Sequence, residues 1–220
     1  MTRRSSLEAV LAPRLDGLDW SVELDAEAWT RLEKLASLWL RYGRVMNLTA
    51  AKSPEELAPH VTEALMVVAL ARQVGLGGGS RWLDVGSGAG LPGLVIAALM
   101  DVELTMVEPR ERRASFLEVA LAQLGRKARV VRGHLDENWR PLAGTNAEIT
   151  PHSFDAASAR AVFPPRRWLE IAPRWIGKNG WVFAHVSTQI IRSEMIKYSS
   201  GLFFDQWSVL VFSASESRNN

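Results

Sequence analysis

The chain contains no cysteine, so disulfides, thiolate-held metals and cysteine nucleophiles are excluded, and with them an extracellular disulfide scaffold. No apolar run approaches the ~18 residues of a membrane helix. The opening Met1 to Leu11 carries Arg3 and Arg4 but then Glu8, which does not read as a signal peptide. A cytoplasmic protein without a membrane span is the expectation. A dominant charge is missing too: 26 Lys and Arg against 24 Asp and Glu leave a net +2, too little to argue a nucleic-acid partner from total charge. There is no internal repeat, no low-complexity tract and no His-x-x-x-His spacing among the 4 histidines, and no metal is expected.

What is present is the balance of a globular protein: 220 residues, 47% hydrophobic and 23% charged. That is enough for one full core, or a core with a small appendage, and a monomer is the default. Basic residues gather at Arg110, Arg112 and Arg113, at Arg126, Lys127, Arg129 and Arg132, and at Arg166, Arg167 and Arg174. Any one cluster reads as a solvated face; three in one half of the chain offer a phosphate-facing surface.

Between Asp25 and Tyr42, apolar Trp29, Leu32, Leu35, Leu38 or Trp39 and Tyr42 recur at helical spacing, and Gly43 follows where a left-handed residue commonly ends a helix. Ser53-Pro54-Glu55-Glu56 announces a second helix, with Ser53 as cap and Glu56 able to reach back. Pro59 predicts a bend or restart near His60 before the helix runs on to about Gln73. All but one of the residues Gly75 to Gly79 are glycine, marking a joint.

After that joint, short apolar runs alternate with helical segments. The runs are Trp82 to Val85, Val102 to Val107, Ala128 to Val131, Phe154 to Ala159 and Trp181 to Val186. The helical segments are Leu91 to Leu99, Arg110 to Leu124 and Pro165 to Trp175. Alternation of this kind predicts a doubly wound α/β fold, a mostly parallel sheet with helices on both faces. Gly201 to Phe204 and Trp207 to Phe212 predict two closing strands joined by a short turn, ahead of a polar Ser215 to Asn220 tail. Asn138 to Ser153 has no periodicity and reads as an irregular loop.

Arg81-Trp82-Leu83-Asp84-Val85-Gly86-Ser87-Gly88-Ala89-Gly90-Leu91-Pro92-Gly93 has the form strand, glycine turn, helix. Such glycines let backbone come against a ligand that a Cβ would block, and the following helix N-terminus offers N–H groups. Gly88, Gly90 and Gly93 also fit the dinucleotide pattern G-x-G-x-x-G, so a nicotinamide-dependent dehydrogenase competes. Three features favour S-adenosylmethionine. Asp84 stands two residues before the first glycine, where it can face an ammonium but would repel a pyrophosphate. The glycines also fit G-x-G-x-G from Gly86, and a long helical stretch precedes this first strand. Glu108, at the end of the next strand, is placed to accept from both ribose hydroxyls. After the third strand, Leu135 and Asp136 fall where the adenine edge should lie.

Asn47-Leu48-Thr49, the capped helix with His60, the loop from Leu83 to Gly93 ending Leu-Pro-Gly, and Ala159-Arg160-Ala161-Val162 together resemble the RsmG/GidB family. These bacterial methyltransferases modify a guanine N7 of small-subunit (16S) ribosomal RNA. The resemblance runs from about Leu32 to Val186. It implies a helical segment, residues 1–75, beside a class I methyltransferase core, residues 76–220, with ribosomal RNA as partner. Gly86, Leu91, Leu135, Asp136 and Arg160 fall on the family's cofactor positions. Arg160 also ends a strand where doubly wound sheets place ligands, which makes it the candidate catalytic residue at the junction of cofactor and acceptor.

The sequence departs from the family at three places: Glu63-Ala64 stands for Asp-Ser, His134-Leu135-Asp136 for Arg-Ala-Glu, and His185-Val186 for Lys-Gly. These leave open a divergent methyltransferase with another RNA or small-molecule acceptor. A non-catalytic cofactor-sensing or RNA-binding module is the remaining alternative. The chemistry agrees with an N7 target, because that nitrogen has an exposed lone pair and no proton, so its attack needs alignment and dryness but no general base. Covalent attack at cytosine C5 would want the cysteine that is absent. Phe163-Pro164-Pro165-Arg166 lacks the amide or acid that exocyclic amine methylation would use, and reads as a helix-starting loop.

Overall fold

A computed structural model describes residues 6–16, 18, 20, 22–126, 128–145, 147–187, 200–204 and 207–213. Lys127 and the Ser215 to Asn220 tail lie outside the described residues. Three helices come first: α1 (Leu7–Leu15), α2 (Ala26–Tyr42) and α3 (Pro54–Gln73). Ser6, Asp25 and Ser53 cap them, each side chain accepting the N–H three residues on, which satisfies one of the otherwise orphaned first-turn donors. α3 is apolar all round from Val61 to Ala71 apart from Thr62 and Glu63, and every one of those residues is buried, the pattern of a helix enclosed on all sides.

Two expectations about these helices are corrected. Pro59 does not break α3. Pro59 lies on an exposed part of the helix, so its ring disturbs no packed neighbour and its missing N–H leaves no buried gap. Gly43 is not left-handed: its φ is −52°. It is needed instead for close approach, because a Cβ there would come within 2.8 Å of the Thr49 methyl and nearer still to the Trp39 carbonyl. The left-handed residue is Asn47, φ 52°, a conformation that asparagine tolerates. Leu48 N–H closes the turn onto Gly43 O at 2.8 Å.

The rest is a seven-stranded sheet in the order β3-β2-β1-β6-β7-β9-β8 and a separate two-stranded hairpin, β4-β5. The strands are β1 (Ser80–Val85), β2 (Val102–Val107), β3 (Arg129–Val131), β4 (Gly133–Leu135), β5 (Trp139–Pro141), β6 (Phe154–Ala159), β7 (Ile176–Ser187), β8 (Ser200–Phe204) and β9 (Trp207–Ser213). The first three, β6 and β7 run parallel; β9 is antiparallel to both β7 and β8. α4 (Gly93–Leu99), α5 (Glu111–Leu124) and α6 (Pro165–Ile171) connect them.

Side chains alternate across the sheet. Trp82, Met106, Ala156 and Phe183 face a core shared with α1 to α5, while Leu83, Val107, Ala157 and Val182 face a second core closed by α6 and Trp175. Burial on both faces is why these parallel strands read as nearly continuous apolar runs. The helical N-terminal stretch therefore shares one apolar core with the sheet.

Three segments differ from the sequence reading by more than a residue or two. The helix expected to reach Trp175 ends at Ile171 and passes into a single 3-10 turn, Ala172–Arg174, with Pro173 at its start. The strand expected from Trp181 begins at Ile176, which pairs with Phe154 ahead of an irregularity after which the register resumes at Ala156 and Trp181; Gly180 lets the chain pass close to the Asp155 carbonyl there. The segment read as an irregular loop contributes β5, whose Trp139 ring covers Gly133 so closely that a Cβ there would overlap it.

Candidate active site

The chain leaves β1 towards β2 and β3 on one side and resumes at β6 on the other, so β1 and β6 flank the topological switch point where such sheets bind ligands. A cavity of about 440 Å³ opens there, within the usual range for a small-molecule site. Of the residues predicted from sequence, Gly86, Gly88, Leu91, Glu108, Leu135, Asp136 and Arg160 line it. Asp84 and Gly90 do not.

The glycines of the turn serve different ends. Gly86, Gly88 and Gly90 all have positive φ. A Cβ on Gly86 would overlap the Val162 side chain, and one on Gly90 would overlap Leu94. A Cβ on Gly88 would meet nothing nearer than 3.6 Å, so its bare face borders open space. Three of the turn's amides are committed within the protein: Ser87 N–H to Val107 O at 3.0 Å, Gly90 N–H to Ser87 O at 2.6 Å and Gly88 N–H to Glu108 Oε2 at 2.8 Å. Trp39 Nε1 donates to Ala89 O at 2.7 Å and pins the turn to α2.

Glu108 is 3% exposed. Besides Gly88, it accepts from Arg110 N–H at 2.9 Å through Oε1. A carboxylate offers about four acceptor positions, so capacity remains on the cavity side for a diol. Asp136 sits in the turn between β4 and β5. Its carboxylate accepts from Asn138 N–H at 3.0 Å and is clamped by both terminal nitrogens of Arg140. Those bonds hold its carboxyl down at about 2. Trp175 Nε1 donates to its carbonyl at 2.7 Å.

Asp84 lies beneath the turn, 1% exposed. Oδ1 accepts from Ser158 Oγ at 2.8 Å, and Ser158 in turn accepts from Trp82 Nε1 at 3.0 Å. Oδ2 has no hydrogen-bond partner. Burial pushes this carboxyl up to about 6 despite the serine. A buried carboxylate with an orphaned oxygen is costly unless something positive compensates it. The bare face of Gly88 and the spare acceptors of Glu108 do border the cavity, and they suit a cofactor carrying a diol, as S-adenosylmethionine does.

Arg160 follows β6 and is joined at the cavity mouth by residues the sequence did not mark as site residues. Its Nη2 meets Glu63 Oε2 at 2.6 Å and His60 Nδ1 at 2.9 Å. Glu63 Oε1 accepts from His185 Nδ1 at 2.8 Å. Two of the three departures from the family pattern, Glu63 and His185, are thus in direct contact. Ala161, φ 57°, turns the chain so that Val162 covers Gly86. Of the three basic clusters, Arg110 and Arg113 reach the cavity, together with Arg140 from outside them. Arg113 also donates to Asn47 O at 2.8 Å, which ties the Asn-Leu-Thr segment to the site.

The sheet order, the glycine turn and the acidic end of β2 define a class I S-adenosylmethionine-dependent methyltransferase. Within that class the chain belongs to the family described as rRNA small subunit methyltransferase G, whose model matches residues 29–218. It is 34% identical over 168 residues to the ribosomal RNA small subunit methyltransferase G of Rhizorhabdus wittichii, covering 70% of each chain. To the protein of that name from Aquifex aeolicus it is 32% identical over 177 residues, 79% of this chain and 83% of the relative. Among solved structures, a putative S-adenosyl-L-methionine-dependent methyltransferase from Methanococcus maripaludis superposes with a TM-score of 0.52 at 12% identity, covering 88% of this chain and 96% of that one. That likeness concerns the fold.

Proposed function

We propose that this protein transfers the methyl group of S-adenosylmethionine to guanine N7 in small-subunit ribosomal RNA. The observation that carries the reading is the convergence of Gly88, Glu108 and Arg160 on one cavity at the switch point, in a chain of a family named for this RNA. The cofactor supplies an electrophilic methyl on a sulfonium. Glu108 accepts from the ribose hydroxyls, Leu135 and Asp136 border the adenine, and Gly86, Gly88 and Leu91 shape the floor. Gly90 keeps the turn packed on Leu94, and Asp84 contributes negative charge from beneath it. Arg160 orients the acceptor and donates to a phosphate or to guanine O6. No group needs to remove a proton, since N7 attacks through its own lone pair.

The division into a helical segment, residues 1–75, and a methyltransferase core, residues 76–220, belongs to the same proposal, as do a cytoplasmic location and a monomeric state. Among the described residues, no helix is long and apolar enough to cross a membrane and no cluster could hold a metal ion. Calorimetric titration with S-adenosylhomocysteine and with a nicotinamide dinucleotide tests the cofactor, and transfer of labelled methyl to small-subunit RNA tests the reaction. Binding of the first ligand alone, followed by transfer, is expected; binding of the dinucleotide instead would overturn the reading.

A further inference from the structure

Arg160, Glu63, His185 and His60 come from three different elements: the end of β6, the C-terminal part of β7 and the first half of α3. Glu63 is central to them. Its side chain is 5% exposed and that of His185 4%, whereas Arg160 is 24% exposed and lines the cavity. Each oxygen of Glu63 holds one basic group. His185 fixes Oε1, and this sets the carboxylate plane so that Oε2 meets the guanidinium. Burial alone would push the Glu63 carboxyl up, but the hydrogen bond and charge of His185, with those of Arg160, outweigh it and hold it down at about 2. The carboxylate is therefore charged at any working pH.

The second anchor on Arg160 is His60. A guanidinium has only donors, so His60 Nδ1 must accept, and the ring must be neutral. Burial and the neighbouring Arg160 both lower the His60 pKa, which favours that form. Both contacts use Nη2, and among the described residues no hydrogen bond engages Nη1 or Nε. A side chain anchored by one terminal nitrogen, with its other donors uncommitted at a cavity mouth, is arranged to meet a ligand.

We propose that Glu63 is a positioning residue for Arg160: its buried carboxylate, clamped by His185, fixes the guanidinium at the cavity mouth in the orientation methyl transfer requires. The proposal rests on the role given to Arg160 above. A merely structural Glu63 would affect turnover to the same extent whether Arg160 were present or not; a positioning Glu63 acts only through it.

The test is a double-mutant cycle on the full-length chain with Glu63→Gln, Arg160→Ala and the double variant. It is read by single-turnover transfer of labelled methyl to small-subunit RNA and by titration with S-adenosylhomocysteine. Glu63→Gln is expected to slow transfer at least tenfold with cofactor affinity within about threefold of wild type. In the Arg160→Ala background the same change should cost less than twofold, and Glu63→Asp should recover part of the loss. A separate readout needs no cofactor: the guanidinium N–H resonances of Arg160, assigned by their absence in Arg160→Ala, should report slow rotation in the wild type and averaging in Glu63→Gln.

Turnover of Glu63→Gln within twofold of wild type, or an equal loss in both backgrounds, overturns the proposal while leaving Arg160 in its role. Near-wild-type turnover of Arg160→Ala overturns that role and the positioning with it. Should Glu63→Gln fail to fold, Glu63→Met, which keeps the length but removes the charge, goes through the same cycle with the same criteria.

Discussion

Gly88 donates its backbone N–H to Glu108 Oε2 at 2.8 Å, so the glycine turn after β1 and the acidic end of β2 form one unit. Glu108→Ala removes both the acceptor proposed for the ribose and the brace on the turn. We expect cofactor binding to weaken by roughly 1.5 to 3 kcal/mol, the scale of hydrogen bonds to a charged group. Calorimetry with S-adenosylhomocysteine checks this, and a loss below about 0.5 kcal/mol would remove Glu108 from the site.

Gly88 and Gly90 should respond to substitution in opposite ways. Gly88 has φ 56°, a Cβ there would meet nothing nearer than 3.6 Å, and its face borders the cavity. Gly88→Val therefore carries the left-handed penalty of about 1–2 kcal/mol, small beside a typical stability of about 5–15 kcal/mol, and should fold while losing cofactor affinity. Gly90→Ala instead drives a methyl into Leu94 and Leu117, and overpacking adds about 1–3 kcal/mol. It should lower stability in urea unfolding more than Gly88→Val does. A folded Gly88→Val with unchanged affinity contradicts the assignment.

Asp84 makes a prediction about pH. Its folded pKa, about 6, lies above the ordinary carboxyl value, so the folded state binds the proton more tightly than the unfolded. The resulting penalty is small below about pH 4, grows as pH rises and is complete above 6. Asp84→Asn removes it. Relative to wild type, the variant should gain about 1 to 2 kcal/mol of stability between pH 5 and pH 8 in urea unfolding without cofactor. A stability difference independent of pH would show that Asp84 does not titrate in this way.

The parts of this molecule that were legible in sequence are those written in adjacent residues. The strand, turn and helix around Gly86 to Gly93 declare themselves by composition, and the alternation that follows gives the sheet. Gly43 and Pro59 misled because their roles depend on what surrounds them: Gly43 is set by the approach of Thr49, and Pro59 by its exposure. The hairpin of β4 and β5 hides in three-residue strands too short to show a period. Asp84 stands out in the sequence beside the glycines, but its place beneath the turn, outside the cavity lining, is set with Ser158, 74 positions away. The Glu63 and His185 pair spans 122 positions; the only signal in the sequence is that both depart from the family pattern.

Arg160→Ala should slow methyl transfer at least a hundredfold, on the order of 3 kcal/mol of transition-state stabilisation. Arg160→Lys should recover only part, because lysine keeps the charge but loses the planar fork. If the main contact is to RNA, S-adenosylhomocysteine affinity should fall less than turnover; if it is to the cofactor, the two should fall together. Single-turnover rates and cofactor titrations on both variants separate these cases, and an active Arg160→Ala refutes the role.

The most direct test of the central claim is mass-spectrometric nucleoside analysis of small-subunit ribosomal RNA from cells with the gene, without it, and complemented by wild type or Arg160→Ala. The account predicts that 7-methylguanosine in this RNA falls on deletion, returns with the wild-type gene and does not return with the variant. An unchanged 7-methylguanosine content after deletion would contradict it.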